Sequence, residues 1–250
     1  MLGGTMQILG VIPARYASTR FSGKMLAKIL GKPMLLWTYE GASQSVLLDH
    51  ILVATDNQQI ADVAEHNGID VVMTSPSCRN GTERVAEVAK KLHLFNIIVN
   101  IQGDEPLIDG TILDKVIEDI IARPDAAIST PYVEINSERK ARNPNIVKVI
   151  TDRNNFALYF TRSIVPYPRN KIVKHKKHIG IYAYRWEDLV RLSRLEPTPL
   201  EREENLEQLR ALEYGMNIHC IETPEADNLI SVNVPDDIRK IERILKKKSL

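Results

Sequence analysis

Three cations and a glycine follow an apolar run near the start of the chain. In GVIPARYASTRFSGKMLAKILGKPMLLW, Arg15, Arg20 and Lys24 occupy the stretch between the run and a helical pattern that starts near Pro33, with Gly23 just before the lysine. Arginine offers forked donors and lysine a point charge, while small residues let backbone N–H groups approach an anion closely. Strand-to-helix connections usually take about 2–6 residues, and longer ones are functional or disordered. In a doubly wound sheet such a loop sits at the carboxyl ends of the strands, where ligands bind. The chemistry this suits is polyphosphate binding; the plainer alternative is a solvated basic loop covering the sheet end. The stretch is neither G-x-x-x-x-G-K-[ST] nor a well-placed G-x-G-x-x-G, which counts against P-loop and dinucleotide readings.

A second chemical feature closes the run NIIVNIQ, which passes into Gly103-Asp104-Glu105-Pro106. A carboxylate just past a strand end lies in the same crevice, where a hard cation could bridge it to phosphate oxygens, so Asp104 is the candidate metal ligand. The same four residues also suit an ordinary turn. The basic run KIVKHKKH reads as a surface segment, with His175 and His178 as a conceivable surface metal pair that lacks further ligands nearby. Cys78 and Cys220 have no metal-ligand spacing and read as reduced thiols.

The elements that must position these residues alternate. QILGVIP, HILVAT, DVVMT and NIIVNIQ are strand-like and near-continuous in valine and isoleucine, as strands covered on both faces are. PMLLWTYEGAS, QQIADVAEHNG, TERVAEVAKKL and TILDKVIEDIIAR are helical between them, so the class is α/β with successive βα units and a parallel sheet flanked by helices. Asp56 and Gln59 form a candidate capping box for a helix over 57–67 that Gly68 stops. After Arg123, AAISTPYVEI, NIVKVIT, FALYFTR and HIGIYAYR follow one another as strands, which predicts an antiparallel β insertion. Thr198-Pro-Leu-Glu201 is a capping box with proline at the first helical position, predicting one helix over 199–213 with Leu206, Leu209 and Leu212 as its buried stripe. On that pattern alone Glu207 and Gln208 are solvated. Tyr182 and Tyr184 share a strand face.

The chain of 250 residues is long enough to bury a substantial core and is expected to form one domain over 1–250. Lysine plus arginine number 33 against 32 acidic residues, which excludes a global field recruiting nucleic acid or anionic membrane. No apolar run approaches the roughly 20 residues of a membrane span, and MLGGTMQ lacks the character of a signal peptide. The expected location is the cytoplasm, with Met6 a candidate start.

VIPARYASTRFSGK, NGTERVAEV, VNIQGDEPLI, HIGIYAYR and NLEQLRALEYG occur in the order and spacing of another group of sequences. From Ile8 to about Ile244 the chain resembles the 3-deoxy-D-manno-octulosonate (Kdo) cytidylyltransferase family. The resemblance implies a nucleotide-diphospho-sugar-transferase-like, Rossmann-like mixed and mainly parallel sheet. It implies a nucleotide-binding half over about 6–125 and a sugar-binding and dimerisation half over about 126–250, in a homodimer. CTP and Kdo would be the substrates, Mg2+ the cofactor, and CMP-Kdo plus pyrophosphate the products, feeding lipopolysaccharide inner-core synthesis.

By the same resemblance Ala14 and Arg15 face the nucleotide, and Arg20 with Lys24 holds the triphosphate. Ser75, Gly81, Thr82 and Arg84 belong to the cytosine-recognition segment, although Thr82 could simply cap the following helix. Gln102, Arg162, His178, Tyr182, Glu207 and Gln208 meet the sugar, and Gln102 also meets the nucleotide. Arginine suits Kdo's carboxylate, and amide and acid side chains its hydroxyls. Two departures stand out. Ser22 replaces a typical proline and should loosen the phosphate loop. Asn233 stands where several members carry an aspartate metal ligand; an amide oxygen can coordinate Mg2+ but adds no charge, and Asn233 could instead cap the helix near Pro235. The alternatives are a cytidylyltransferase for a related acid sugar, such as an amino analogue of Kdo, or a catalytically weak nucleotide-binding protein.

Overall fold

The computed structural model describes residues 6–16, 21–135, 137–169 and 174–248. Arg20 and residues 1–5 therefore lie outside the described residues. The chain divides into two compact units, residues 1–114 with 228–250, and residues 115–227.

In the first unit, strands β1 (Ile8–Ala14), β4 (His50–Thr55), β5 (Asp70–Met73) and β6 (Ile97–Asn100) form a parallel sheet ordered β5-β4-β1-β6. Leu9, Val11, Ile12, Ile98 and Val99 are wholly buried, as strands covered on both faces require. Between β1 and the first helix lies a hairpin that the sequence pattern did not reveal, β2 (Lys28–Ile29) with β3 (Lys32–Pro33). Its turn uses positive φ at Leu30 (48°) and Gly31 (84°). Helix α1 (Met34–Ala42) begins directly after Pro33, as expected.

Helix α2 (Gln58–His66) is capped by Asn57, whose side chain accepts from the Ile60 N–H, and not by Asp56. Asp56 is engaged with Arg84 instead, so an ion pair outcompetes the cap. Gly68 ends the segment at φ 71°. Helix α3 (Gly81–Lys91) is capped by Asn80, which accepts from the Glu83 N–H at 2.8 Å, so Thr82 is not its cap. Helix α4 (Gly110–Ala122) starts where Asp109 accepts from the Thr111 N–H, and its residues from Lys115 belong to the second unit. No helix among the described residues is long and apolar enough to cross a membrane.

The second unit is mostly antiparallel. Strands β7 (Ile128–Ile135), β8 (Lys148–Thr151), β9 (Ala157–Thr161), β10 (His175–His178) and β11 (Tyr182–Arg185) run in the order β11-β7-β10-β8-β9, with the short α5 (Glu138–Ala141) after β7. The parallel strand β12 (Ile218–Glu222) joins β7. The basic run around His175 is thus a central strand and not surface, with both histidines buried. Placed three apart, they point to opposite faces and do not form a metal pair. After α6 (Trp186–Leu192), the helix expected over 199–213 is two, α7 (Pro199–Glu204) and α8 (Gln208–Glu213). Asn205 breaks them at φ 53°. Leu206 and Leu209 are buried and Leu212 half-buried, but Gln208, expected to be solvated, is buried too. In the first unit again, α9 (Pro235–Lys248) is capped from within. Asp237 accepts from the N–H groups of Asn233 and Val234 at its start. The α/β class expected from the sequence, parallel strands with covering helices plus an antiparallel addition, is what the structure shows.

Candidate active site

In the first unit the site grows from the carboxyl ends of β1 and β6. Ala14 is the buried last residue of β1, and Arg15 emerges exposed. The chain then turns at Gly23, whose N–H donates to the Tyr16 carbonyl at 3.0 Å. Its φ of 68° is left-handed, which glycine adopts without cost. A short 3-10 turn, Lys24–Leu26, follows and aims Lys24 at Asp104, Nζ to Oδ2 2.6 Å. Both side chains are partly exposed, at 14% and 23%, so they are reachable by a ligand.

Asp104 is held by its neighbours' backbone contacts. Thr38 Oγ1 donates to the Gly103 carbonyl at 3.1 Å, and the Val232 N–H to the Asp104 carbonyl at 2.9 Å. Ser231 donates to the buried Glu105 carboxylate. At Gly103 a Cβ would stand 2.9 Å from Met25 Sδ and 3.1 Å from the Pro13 carbonyl, so glycine is needed for the approach of this turn to β1. The Val232 bond brings Asn233 to the neighbourhood of Asp104; its Nδ2 donates weakly to the Ser231 carbonyl at 3.4 Å. One carboxylate and one amide oxygen are hard donors. Mg2+ commonly takes one or two carboxylates and completes its shell from substrate phosphates and water, so this donor set fits it. Among the described residues no group of three or more His, Cys, Asp or Glu side chains forms a metal cluster.

On the same sheet, Gln102 Nε2 donates to Asn100 Oδ1 at 3.3 Å. The segment after β5 lies along α3. The Ser75 N–H donates to both Glu87 oxygens (3.2 and 3.0 Å), and Gly81 and Thr82 open the helix. Arg84 is drawn inside, 3% exposed, with Nη2 2.9 Å from Asp56 Oδ2 and Nη1 donating to Thr74 Oγ1.

The second unit gathers His178, Tyr182 and Glu207. His178 packs on Tyr182, ring centroids 5.5 Å apart, and edge-on to Phe160 at 4.9 Å. Tyr182 and Tyr184 share a face as expected, 5.9 Å apart. Burial pushes His178 down to about 3, so it is neutral at physiological pH. Its tautomer follows from Thr130. The hydroxyl proton of Thr130 goes to carbonyls that can only accept, Ile181 at 2.7 Å and Ile179 at 3.2 Å. The hydroxyl therefore accepts from His178 Nε2–H at 2.9 Å, leaving Nδ1 as an acceptor. Burial first, then Tyr184 and Glu207, holds the Tyr182 phenol well above its usual range.

Arg162 is anchored to backbone: Nε to the Glu204 carbonyl (2.8 Å), Nη1 to Pro144 (3.1 Å) and Nη2 to Asn205 (3.4 Å). Sequence reasoning missed Thr130, Thr38 and Ser231, whose partners lie 48 to 126 residues away. It also missed the wholly buried Lys148, which donates to the carbonyls of Asn143, Ile146 and Arg162. No local pattern marks such residues.

The family model described as cytidylyltransferase matches residues 9–218. The mitochondrial 3-deoxy-manno-octulosonate cytidylyltransferase of Arabidopsis thaliana is 43% identical, over 98% of this chain and 85% of that protein. The 3-deoxy-manno-octulosonate cytidylyltransferase of Fusobacterium nucleatum is 41% identical, over 98% of this chain and 99% of that protein. A solved structure of CMP:2-keto-3-deoxy-manno-octonic acid synthetase complexed with CTP superposes with a TM-score of 0.91 at 36% identity, covering 97% of this chain and 99% of that one. With a family model spanning most of its length and relatives of this kind matching nearly all of it, the chain belongs to the 3-deoxy-manno-octulosonate cytidylyltransferases of the cytidylyltransferase family.

Proposed function

We propose that the chain transfers CMP from CTP to the anomeric hydroxyl of Kdo, releasing CMP-Kdo and pyrophosphate. The observation that carries this reading is the full-length likeness to 3-deoxy-manno-octulosonate cytidylyltransferases. In this reading the product feeds lipopolysaccharide synthesis and the enzyme works in the cytoplasm as a homodimer.

The Kdo hydroxyl attacks the α-phosphorus, and negative charge moves onto the leaving pyrophosphate. There is little covalent work for the protein, so positioning and electrostatic stabilisation carry the catalysis. Lys24, with Arg20, stabilises the triphosphate as that charge moves. The backbone near Ala14 and Arg15 lies along the nucleotide, and the segment from Ser75 through Gly81 and Thr82 to Arg84 meets the cytosine. Asp104 and the Asn233 carboxamide oxygen would hold Mg2+, which when bound neutralises phosphate charge. The ammonium of Lys24 balances the Asp104 carboxylate, and its charge is available to the triphosphate. Gln102, Arg162, His178, Tyr182, Glu207 and Gln208 serve the sugar. His178 Nδ1 is matched to a sugar hydroxyl, because Thr130 commits Nε2 as a donor.

Pyrophosphate release, measured with CTP, Mg2+ and a panel of acid sugars, tests the assignment. Turnover with Kdo is expected. Turnover only with an amino analogue would move the substrate to a related acid sugar, and CTP binding with no turnover on any sugar would sink the enzymatic reading.

A further inference from the structure

Four side chains of the segment that follows β5 are small: Ser75, Pro76, Ser77 and Cys78. CTP and UTP differ on one edge of the ring: C4 carries an amino donor in the first and a carbonyl acceptor in the second, and N3 is an acceptor in the first and an N–H donor in the second. A hydroxyl can serve either partner by rotating, whereas a backbone carbonyl can only accept. A segment built of small residues therefore discriminates between the two bases by where its backbone is held. What holds it is a single carboxylate on α3. Glu87 accepts from the Ser75 N–H at 3.2 and 3.0 Å and from the Cys78 thiol, Sγ to Oε2 3.3 Å. Those donors are the two ends of a tight turn, closed by the Cys78 N–H on the Ser75 carbonyl (3.3 Å) and by the paired hydroxyls of Ser75 and Ser77 (2.7 Å).

The carboxylate is itself steadied by Lys91 one turn along α3, at 2.8 Å. One turn earlier Glu83 binds the Arg79 N–H at 2.9 Å and its Nε at 2.8 Å, so the flank of the segment rests on the same helix face. Burial, reinforced by the bond to Glu87, pushes the Cys78 thiol up to about 11, and at neutral pH it keeps its proton and remains a donor.

We propose that Glu87 is a positioning residue for nucleobase selection: by gripping both ends of the Ser75–Cys78 turn it fixes the backbone that distinguishes cytosine from uracil. This rests on the reading of the segment as the cytosine contact. Glu87→Gln keeps the size of the side chain but sets an amide donor against donors on either side, which loosens the turn without emptying the site.

The test compares kcat/KM for CTP and UTP, with thermal melting and CTP-dependent hydrogen exchange measured alongside. Glu87→Gln is expected to lower the CTP-over-UTP ratio about tenfold or more, the scale of losing a hydrogen bond to a charged group. Glu87→Asp should restore part of the ratio. Cys78→Ala, which removes one bond and little volume, should lower it by a few-fold and serves if Glu87→Gln does not fold. Protection of residues 75–80 by CTP with an unchanged ratio in folded Glu87→Gln and in Cys78→Ala overturns the proposal and leaves the cytosine reading standing. Absence of that protection in the unmodified protein overturns both.

Discussion

The ion pair between Lys24 and Asp104 is the point at which the charges of the site are balanced within the chain itself. Partly exposed pairs of this kind contribute little to stability, so a cation and a carboxylate 2.6 Å apart beside two strand ends are better understood as ligand groups than as a staple. Lys24→Ala tests this at the scale of one residue. It should lower kcat about 100-fold, the cost of removing one preorganised charge from a transition state. The KM for Kdo should hardly move. The concentration of Mg2+ giving half-maximal rate should fall, because the variant leaves Asp104 without its competing ammonium. Steady-state kinetics with Kdo and Mg2+ varied independently checks all three, and an effect confined to the Kdo KM would move Lys24 to the sugar.

At the scale of elements, the most instructive position is Asn205. The capping box is real at its backbone end, Thr198 N–H to Glu201 Oε2 at 3.2 Å, and leucine spacing carried the helix onward from it. Periodicity records which residues are apolar but not the φ of one polar residue between them. At Asn205 the backbone is left-handed, and its carbonyl accepts from Arg162. Asn205→Gly should be nearly neutral, while Asn205→Ala should destabilise by about 1 kcal/mol because alanine pays the left-handed penalty. Urea unfolding of both variants checks it, and equal midpoints would show that the strain is not there. The same distinction governs the rest of the fold. The parallel strands and the start of α1 were legible because they are long, apolar and periodic. The hairpin β2–β3 was too short to announce itself, and β10 reads His-Lys-Lys-His, so its composition hid a central strand. Lys176 and Lys177 are only half-buried there, and Lys176 Nζ is 2.7 Å from Thr151 Oγ1 and 4.3 Å from the Tyr132 ring, which is how a cation-rich strand is accommodated. Caps misled in both directions, since Asn57 and Asn80 took roles first given to Asp56 and Thr82. The placement of Lys24 in the connection after β1 and of Asp104 just past β6 was legible, because both follow long apolar runs. The hydrogen bond between Thr130 and His178, 48 residues apart, was not.

Near neutral pH the charges of the whole molecule almost cancel, so the change of stability with pH there comes from individual buried groups. On the acid side one such group is His178, lowered from 6.5 to about 3 by burial. The unfolded chain takes up a proton near pH 6.5 that the native state refuses until about pH 3, so this contribution is complete above 6.5 and is lost as pH falls. At pH 5 the loss is about 2 kcal/mol. On the alkaline side burial raises the Cys220 thiol from 9.0 to about 12, and it raises the Tyr132 phenol to about 12 with help from Glu222 and Glu134. Here the unfolded chain releases protons first, so stability is complete below about 9 and declines above it; Cys220 alone accounts for about 1.4 kcal/mol at pH 10. The expected curve is a plateau from about pH 6.5 to 9 with a limb on each side. Urea midpoints from pH 4 to 10 should show His178→Gln flattening the acid limb and Cys220→Ala reducing the alkaline one, where the Cys78 thiol, raised to about 11, also contributes, whatever each variant does to the plateau height. Each variant should leave the other limb intact, because the two groups titrate in separate ranges. An acid limb of unchanged slope in His178→Gln would mean that carboxylates, and not the buried imidazole beside Thr130, set the acid stability of the fold.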